Sequence, residues 1–492
     1  MILLCKAVFK FGAKNALSKQ ALMVLKAHMD YVFYDTETTG ISPYYDQILQ
    51  FAAIRTDENF KELERFEIRC QIQPHIVANP GAMKVTRVTA ADLTNPGFAT
   101  HYEMMKTIRE KLISWQPAIF IGQNTIAFDE PMLRSDFYQN LFPTYLTNTN
   151  GNKRMDSLPI MHALSVLAPD VLDFPINPKG NKSFKLDLVA PANGHNHSNA
   201  HEAVSDVEAT IFICERMKNR APKVWENFRK HADKYKVLNL TQQCRPYGLI
   251  RSFFGKVNIS LVSTLGVSPQ NSNEVLSLNL IYDPDELDQM SDEEIIKTFK
   301  KSPRPILNLR ANAMPSIWSL DDFPQITEQA AIDDDVILHR ARRIEEIEGF
   351  KQRVLALYFD TGEDFEESPF VERQIYSGFP SRGDERLMSE FHKLPWNKRW
   401  DMVQSLEDAR FREMGERLIF FNAPESMPVQ RRQHWENYLE ERLASTSPET
   451  EWLTLPKAIV QTNQMLEKYE GSEREILEGH LSQYITQLST FS

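Results

Sequence analysis

The chain has 492 residues, a formal net charge of −11, and 42% hydrophobic against 25% charged residues. That length exceeds what one core serves, so two to four domains are expected, with the composition of ordinary soluble globular protein. No apolar run approaches the ~20 residues of a membrane span, and Met1–Cys5 is too short for a signal-peptide core before Lys6 interrupts it, so a cytoplasmic place is expected. Cys5, Cys70, Cys214 and Cys244 form no Cys-x-x-Cys pair, which argues against a zinc ribbon or a disulfide framework. The acidic balance counts against a polyanionic partner unless cations are locally concentrated.

Residues 1–29 carry Lys6, Lys10, Lys14, Lys19 and Lys26 with no acidic residue. The segment reads either as a basic amphipathic targeting or membrane-surface piece, or as an extension ahead of a start at Met23 or Met29. From Tyr31 the pattern is α/β. Strands are expected over 31–37, 48–56 and 66–73 as an antiparallel meander, followed by a helix over 102–115 and a short strand over 118–123. Helices over 130–142, 156–167 and 200–218 complete a mixed sheet covered by helices. A basic stretch, Arg216–Lys236, leads into β-like runs near 249–254, 257–264 and 275–281. The expected organisation is an N-terminal extension over 1–29, an α/β domain over 30–220, a mainly β domain over 221–360 and a helical domain over 361–492.

Three segments carry chemistry. In Tyr31-Val-Phe-Tyr-Asp35-Thr-Glu37-Thr-Thr-Gly40, carboxylates at i and i+2 of an apolar strand share a face, an expensive arrangement unless a hard cation lies between them. Taken alone, the pair also suits a solvated surface or a glycosidase. Gln123-Asn124-Thr-Ile-Ala-Phe128-Asp129 sets Asp129 at a helix start, where an aspartate also serves as N-cap. Asn193-Gly-His195-Asn-His197-Ser-Asn-Ala-His201-Glu-Ala-Val-Ser-Asp206 offers three histidines without cysteine, as loop residues or a zinc set, and a His-x-Ala-x-x-Asp run entering a long helix.

In this order, the three segments resemble the motifs of the DEDDh exonuclease superfamily, whose fold is ribonuclease-H-like. Gln50-Phe-Ala-Ala-Ile-Arg-Thr-Asp57, Ser183-Phe-Lys-Leu186, Gln374-Ile-Tyr-Ser-Gly-Phe379 and Asp408-Ala-Arg-Phe-Arg-Glu413 are similar to the bacterial exodeoxyribonuclease I family over residue 30 to the C-terminus. Thr39 stands where that family carries a bulkier residue.

The resemblance implies an exonuclease domain, an SH3-like domain and a helical domain that clasp single-stranded DNA. It also implies 3′→5′ hydrolysis to 5′-mononucleotides, in DNA repair and recombination. Asp35, Glu37, Asp129 and Asp206 would hold two Mg²⁺ ions, with Mn²⁺ as a substitute, and His201 would be the general base. Glu37, Thr38, Arg245, Arg251, Phe253 and Phe254 are candidate strand contacts, cations beside aromatics being a usual way to hold single strands. A monomer that binds the C-terminal tail of single-stranded DNA-binding protein is implied too. An RNA-trimming DEDDh enzyme and a non-catalytic nucleic-acid scaffold are the alternatives.

Overall fold

Alternation along the first strand decides how the N-terminal half is layered. The computed structural model describes residues 29–196, 202–243, 245–253, 255–330, 332–360 and 368–491. The lysine-rich segment before Met29, and Cys5, His197, His201, Cys244 and Phe254, lie outside the described residues. Strand β1 (Asp30–Thr38) sends Tyr31 and Phe33 into one apolar core and Val32 and Tyr34 into another, so its sheet is buried on both faces. Strands β2 (Ile48–Thr56) and β3 (Glu62–Arg69) continue it antiparallel, as the expected meander, and β4 (Ala118–Gly122) and β5 (Lys153–Asp156) join parallel in the order β3-β2-β1-β4-β5.

Strands β3 and β5 depart from the sequence expectation for physical reasons. Strand β3 begins at Glu62 because it is an edge strand, where exposed Glu62 and Leu63 are tolerated and the apolar signal starts only at Phe66. Strand β5 was not anticipated at all: four residues beginning Lys-Arg show no apolar period, and Arg154 is buried only because a distant carboxylate meets it.

The helix Ala203–Arg220 lies across β1 on the Tyr31 and Phe33 face, while His101–Ser114 and Asp129–Gln139 cover the other. The helices Pro222–His231 and Lys234–Thr241 then lead into a second, antiparallel sheet. Its strands β6 (Tyr247–Phe253), β7 (Lys256–Val267), β8 (Glu274–Asn279), β9 (Ile306–Arg310) and β10 (Ile317–Ser319) lie in the order β10-β6-β7-β8-β9. Gly248 is required there, since a Cβ would stand 2.8 Å from Ile326 Cγ2. The region 221–360 also holds the helices Asp334–Glu346 and Phe350–Asp360, whose Ile337, Ala341, Ile344 and Val354 cover the sheet. The short β-like runs gave no sign of them.

Beyond Phe370 the chain is helical, with Arg382–Phe391, Ala409–Asn422, Val429–Ala444, Leu455–Leu466 and Gly471–Leu488 as its main helices. This part is not an independent appendage. Phe411, Met414 and Leu418 share one core with Val32, Tyr34 and Phe137, and buried Arg417 reaches both Glu372 (2.6 Å) and Gln139 Oε1 (3.0 Å). Among the described residues, no helix is long and apolar enough to cross a membrane.

Candidate active site at the end of the first strand

The period-2 face that buries Tyr31 and Phe33 continues to Asp35 and Glu37, so both carboxylates emerge toward the helix Ala203–Arg220. Asp206 lies in the first turn of that helix, where the positive end of the helix dipole favours an anion. Carboxylate oxygens of Asp35, Glu37 and Asp206 all lie within 4.8 Å of one another. Glu37 is only 8% exposed.

Asp129 is placed differently. It is the first residue of its helix, Phe128 occupies the cap position without a side-chain bond, and the carboxylate accepts from Thr36 N (3.1 Å) and Thr36 Oγ1 (2.6 Å). The N-cap reading of Asp129 is therefore not what the fold uses it for. The three-residue group above does not include it, yet its charge reaches all the same: burial raises the Asp35 carboxyl well above its ordinary range, and Asp129, Glu37 and Asp206 each add to the rise. Burial likewise pushes Glu37 up to about 9, with Asp206 and Asp129 adding and Arg69 opposing. Asp129 is pushed to about 7 by burial, against the hydrogen bond from Thr36.

Four carboxylates crowded this way repel one another in a desolvated pocket, and a hard divalent cation taking their oxygens removes that penalty. An all-oxygen donor set suits such an ion better than zinc, and no histidine belongs to the group among the described residues. His195 stands instead against the Phe212 ring, with centroids 4.9 Å apart.

Sequence reasoning missed the groups that hold the site in place. Thr36 fixes Asp129 from the opposite face of β1. Asp156 accepts from the main-chain N–H groups of Asn124 (2.8 Å), Ile126 (3.0 Å) and Leu158 (3.0 Å), so it caps the helix Ser157–Leu167 and pins the turn that delivers Asp129. Burial raises Asp156 to about 6. Its position just before an apolar helix is the N-cap signal that marks it in the sequence. Gly122 is obligatory in the same turn, because a Cβ would lie 2.2 Å from Thr125 Cγ2 and 2.5 Å from the Tyr34 carbonyl oxygen.

The rim beyond Glu37 is cross-braced by hydrogen bonds. Thr38 donates its hydroxyl to the Gly40 carbonyl (2.6 Å), and fully buried Thr39 bonds Asp46 Oδ1 (2.9 Å) beneath it. Thr39 is thus an internal strut, and the apolar side chain offered at the rim is Ile41, 85% exposed.

The expected strand contacts are dispersed. Arg245 pairs with Asp321 at the surface (2.8 Å). Arg251 donates to the Asn308 carbonyl, and with Phe253, Pro159, His162 and Arg310 it lines a groove of about 430 Å³ between the helix Ser157–Leu167 and the second sheet. A larger groove of about 650 Å³ is lined by Tyr145, Lys153, Arg154, Lys234, Tyr235 and Phe379, drawing on all three parts of the chain. Most of the basic stretch Arg216–Lys236 lies elsewhere. Trp225 packs on Tyr31, which places the helix Pro222–His231 at the starting end of β1, about 20 Å from Glu37 at the usual rise per residue. Within it, Arg229 pairs with Glu226 (2.7 Å), and just before it Lys218 donates to the Glu58 carbonyl.

Comparison with known proteins is consistent along the chain. A family model described as "Exonuclease" matches residues 32–214, and one described as "Exonuclease I C-terminal domain" matches residues 370–488. The chain is 30% identical over 383 residues to exodeoxyribonuclease I of Escherichia coli, covering 74% of this chain and 79% of that protein. It is 26% identical over 443 residues to exodeoxyribonuclease I of Haemophilus influenzae, covering 86% and 92%. Among solved structures, E. coli exonuclease I in complex with a dA16 oligonucleotide superposes with a TM-score of 0.83 at 25% identity, over 94% of this chain and 100% of that one. A moderately thermophilic exonuclease I from Methylocaldum szegediense gives 0.82 at 25% identity, over 94% and 99%.

Proposed function

This chain belongs to the exodeoxyribonuclease I family, and on that premise we propose that it releases 5′-mononucleotides from the 3′ end of single-stranded DNA, in repair and recombination. The observation that carries the reading is the meeting of Asp35, Glu37 and Asp206 within 4.8 Å, with Asp129 held beside them by Thr36. With two Mg²⁺ ions, or Mn²⁺ in their place, the site would gain an activated water and a stabilised leaving 3′-oxygen. Asp35, Glu37, Asp129 and Asp206 are the residues that would hold them. His201, outside the described residues, keeps the His-x-Ala-x-x-Asp spacing and takes the water's proton, an unperturbed imidazole being largely neutral above about pH 6.5. Glu37 and Thr38 face the terminal nucleotide, and Ile41 offers its base an apolar contact. The exonuclease domain spans 30–220, the SH3-like domain 221–360 and the helical domain 361–492.

End-labelled single-stranded DNA, duplex DNA and RNA, digested side by side with and without Mg²⁺, test this directly. Mononucleotide release from the 3′ end of single-stranded DNA is expected only with metal. Preferential RNA trimming would favour the alternative enzyme, and inert substrates throughout would leave a binding scaffold.

The raised carboxylates also set a pH signature. Without metal, the folded cluster binds more protons than the unfolded chain from the ordinary carboxylate range up to about pH 9, so its contribution to stability falls as pH rises across that window. Mg²⁺ removes that penalty, so the rise in Tm on adding it should be larger at pH 8 than at pH 5. A ligand at 100 times its Kd stabilises by about 2.7 kcal/mol. Calorimetry in EDTA and in Mg²⁺ at both pH values checks it, and equal shifts would remove the cluster as the metal site.

The strand path proposed runs from the carboxylates through the two grooves, with the lining residues Arg251 and Phe253, then Tyr145, Lys234 and Tyr235, as its contacts to phosphates and bases. Each neutralised phosphate on a single strand contributes roughly −0.7 to the log–log salt slope. Removing the charges of Lys223, Arg229 and Lys230 together should flatten the salt dependence of KM only for strands long enough to reach the far end of β1. Very short oligonucleotides should be indifferent, and equal slopes for variant and parent on long strands would make this helix a solvated face.

A monomer acting in the cytoplasm, and docking of the acidic, apolar C-terminal tail of single-stranded DNA-binding protein on basic surface outside the active site, complete the proposal. A tail peptide should bind with an affinity that falls as salt rises. No binding at low ionic strength would exclude this partner.

A further inference from the structure

Glu130 follows Asp129 and is more deeply buried, at 1% exposed. Its carboxylate accepts from Tyr34 OH (3.1 Å) on one oxygen, while the other accepts from Arg154 Nη1 (3.1 Å) and lies 3.0 Å from Arg134 Nη2. Tyr34 and Thr36 share a face of β1, so the strand grips the start of the helix Asp129–Gln139 at two points one pleat apart: Thr36 on Asp129, Tyr34 on Glu130. Arg154 extends the chain of contacts. Its Nη2 donates to the Asn312 carbonyl (2.7 Å), in the loop that leaves β9 of the second sheet. A buried ion pair of this kind rarely stabilises a fold more than apolar side chains of the same volume would, so its value here is geometric.

Resting on the activity proposed above, we propose that Glu130 is a positioning residue for Asp129, and that Arg154, by bonding the second sheet, makes the placement of this metal-holding carboxylate depend on how the two sheets are seated. The strand groove that Arg154 lines and the catalytic end of β1 then share one buried linkage.

Glu130→Gln keeps an acceptor for Tyr34 and withdraws the charge from both arginines. Loss of a residue that orients a metal ligand costs about 10–100-fold in metal affinity or activity. The expected result is a fall of that size in Mn²⁺ affinity, measured by calorimetry without substrate, together with a fall in kcat at little change in KM. Glu130→Asp, which keeps the charge, should restore most of both. Because buried Arg154 and partly buried Arg134 lose their counter-charge, Glu130→Gln is paired with the double variant Glu130→Met/Arg154→Met, checked for folding by its thermal transition. Arg154→Met alone should lower Mn²⁺ affinity in the same direction.

Folded variants with the parent's Mn²⁺ affinity and kcat would overturn the proposal, as would a rise in KM alone, which marks a direct strand contact. An Arg154→Met variant with unchanged Mn²⁺ affinity would remove the second sheet from the linkage. A parent that binds Mn²⁺ but cleaves no DNA would defeat the proposed activity while leaving the metal titrations readable, so the two failures are distinguishable.

Discussion

Asp206→Ala is expected to lower turnover by about 10³-fold or more, since metal stabilisation of the transition state supplies several kcal/mol and each 1.36 kcal/mol is tenfold in rate. Affinity for single-stranded DNA should change little, because the residue lies within the carboxylate group and the grooves are lined by other side chains. The fold should survive: Asp206 is a partly exposed residue in a first helical turn, and its removal relieves repulsion on Asp35 and Glu37. Calorimetric Mg²⁺ titration should show lost or weakened binding, and electrophoretic shift should show the strand still held. Hydrolysis at the parent's rate would end the metal assignment.

His201→Ala should cost 10²–10⁴-fold in kcat, the usual worth of a positioned general base, while Mg²⁺ still binds. As pH rises, hydroxide can replace the missing proton acceptor, so the variant should recover part of its rate where the parent has reached its plateau. The pH profile therefore separates loss of the base from loss of the fold, which no increase in pH would repair. An unchanged rate at neutral pH would remove His201 from the reaction. Together the two variants dissect the site, one losing cation binding and the other only proton transfer.

What the amino-acid order determined by itself was local. An Asp-x-Glu pair on an alternating strand must share a face, and a carboxylate in the first turn of an amphipathic helix must sit at its positive end, so spacing placed Asp35 and Glu37 together and Asp206 at a helix start, while their reading as one metal-holding set came from the order of the three motifs and the family they resemble. The antiparallel β1, β2 and β3 were legible because each carries its own apolar residues between turns, a signal local to the strand. What only the tertiary structure decided depends on partners far apart in the chain. Asp129 reads as a helix cap until Thr36, 93 residues earlier, is seen to take its carboxylate. Strand β5 has no apolar period of its own, and its Arg154 becomes a buried residue through Glu130 and the Asn312 carbonyl, 24 and 158 residues away. The basic stretch Arg216–Lys236 closely follows Asp206 in sequence yet lies far from it in the fold. A helix rises about 1.5 Å per residue, and the 18 residues of Ala203–Arg220 carry the chain to the other end of the sheet.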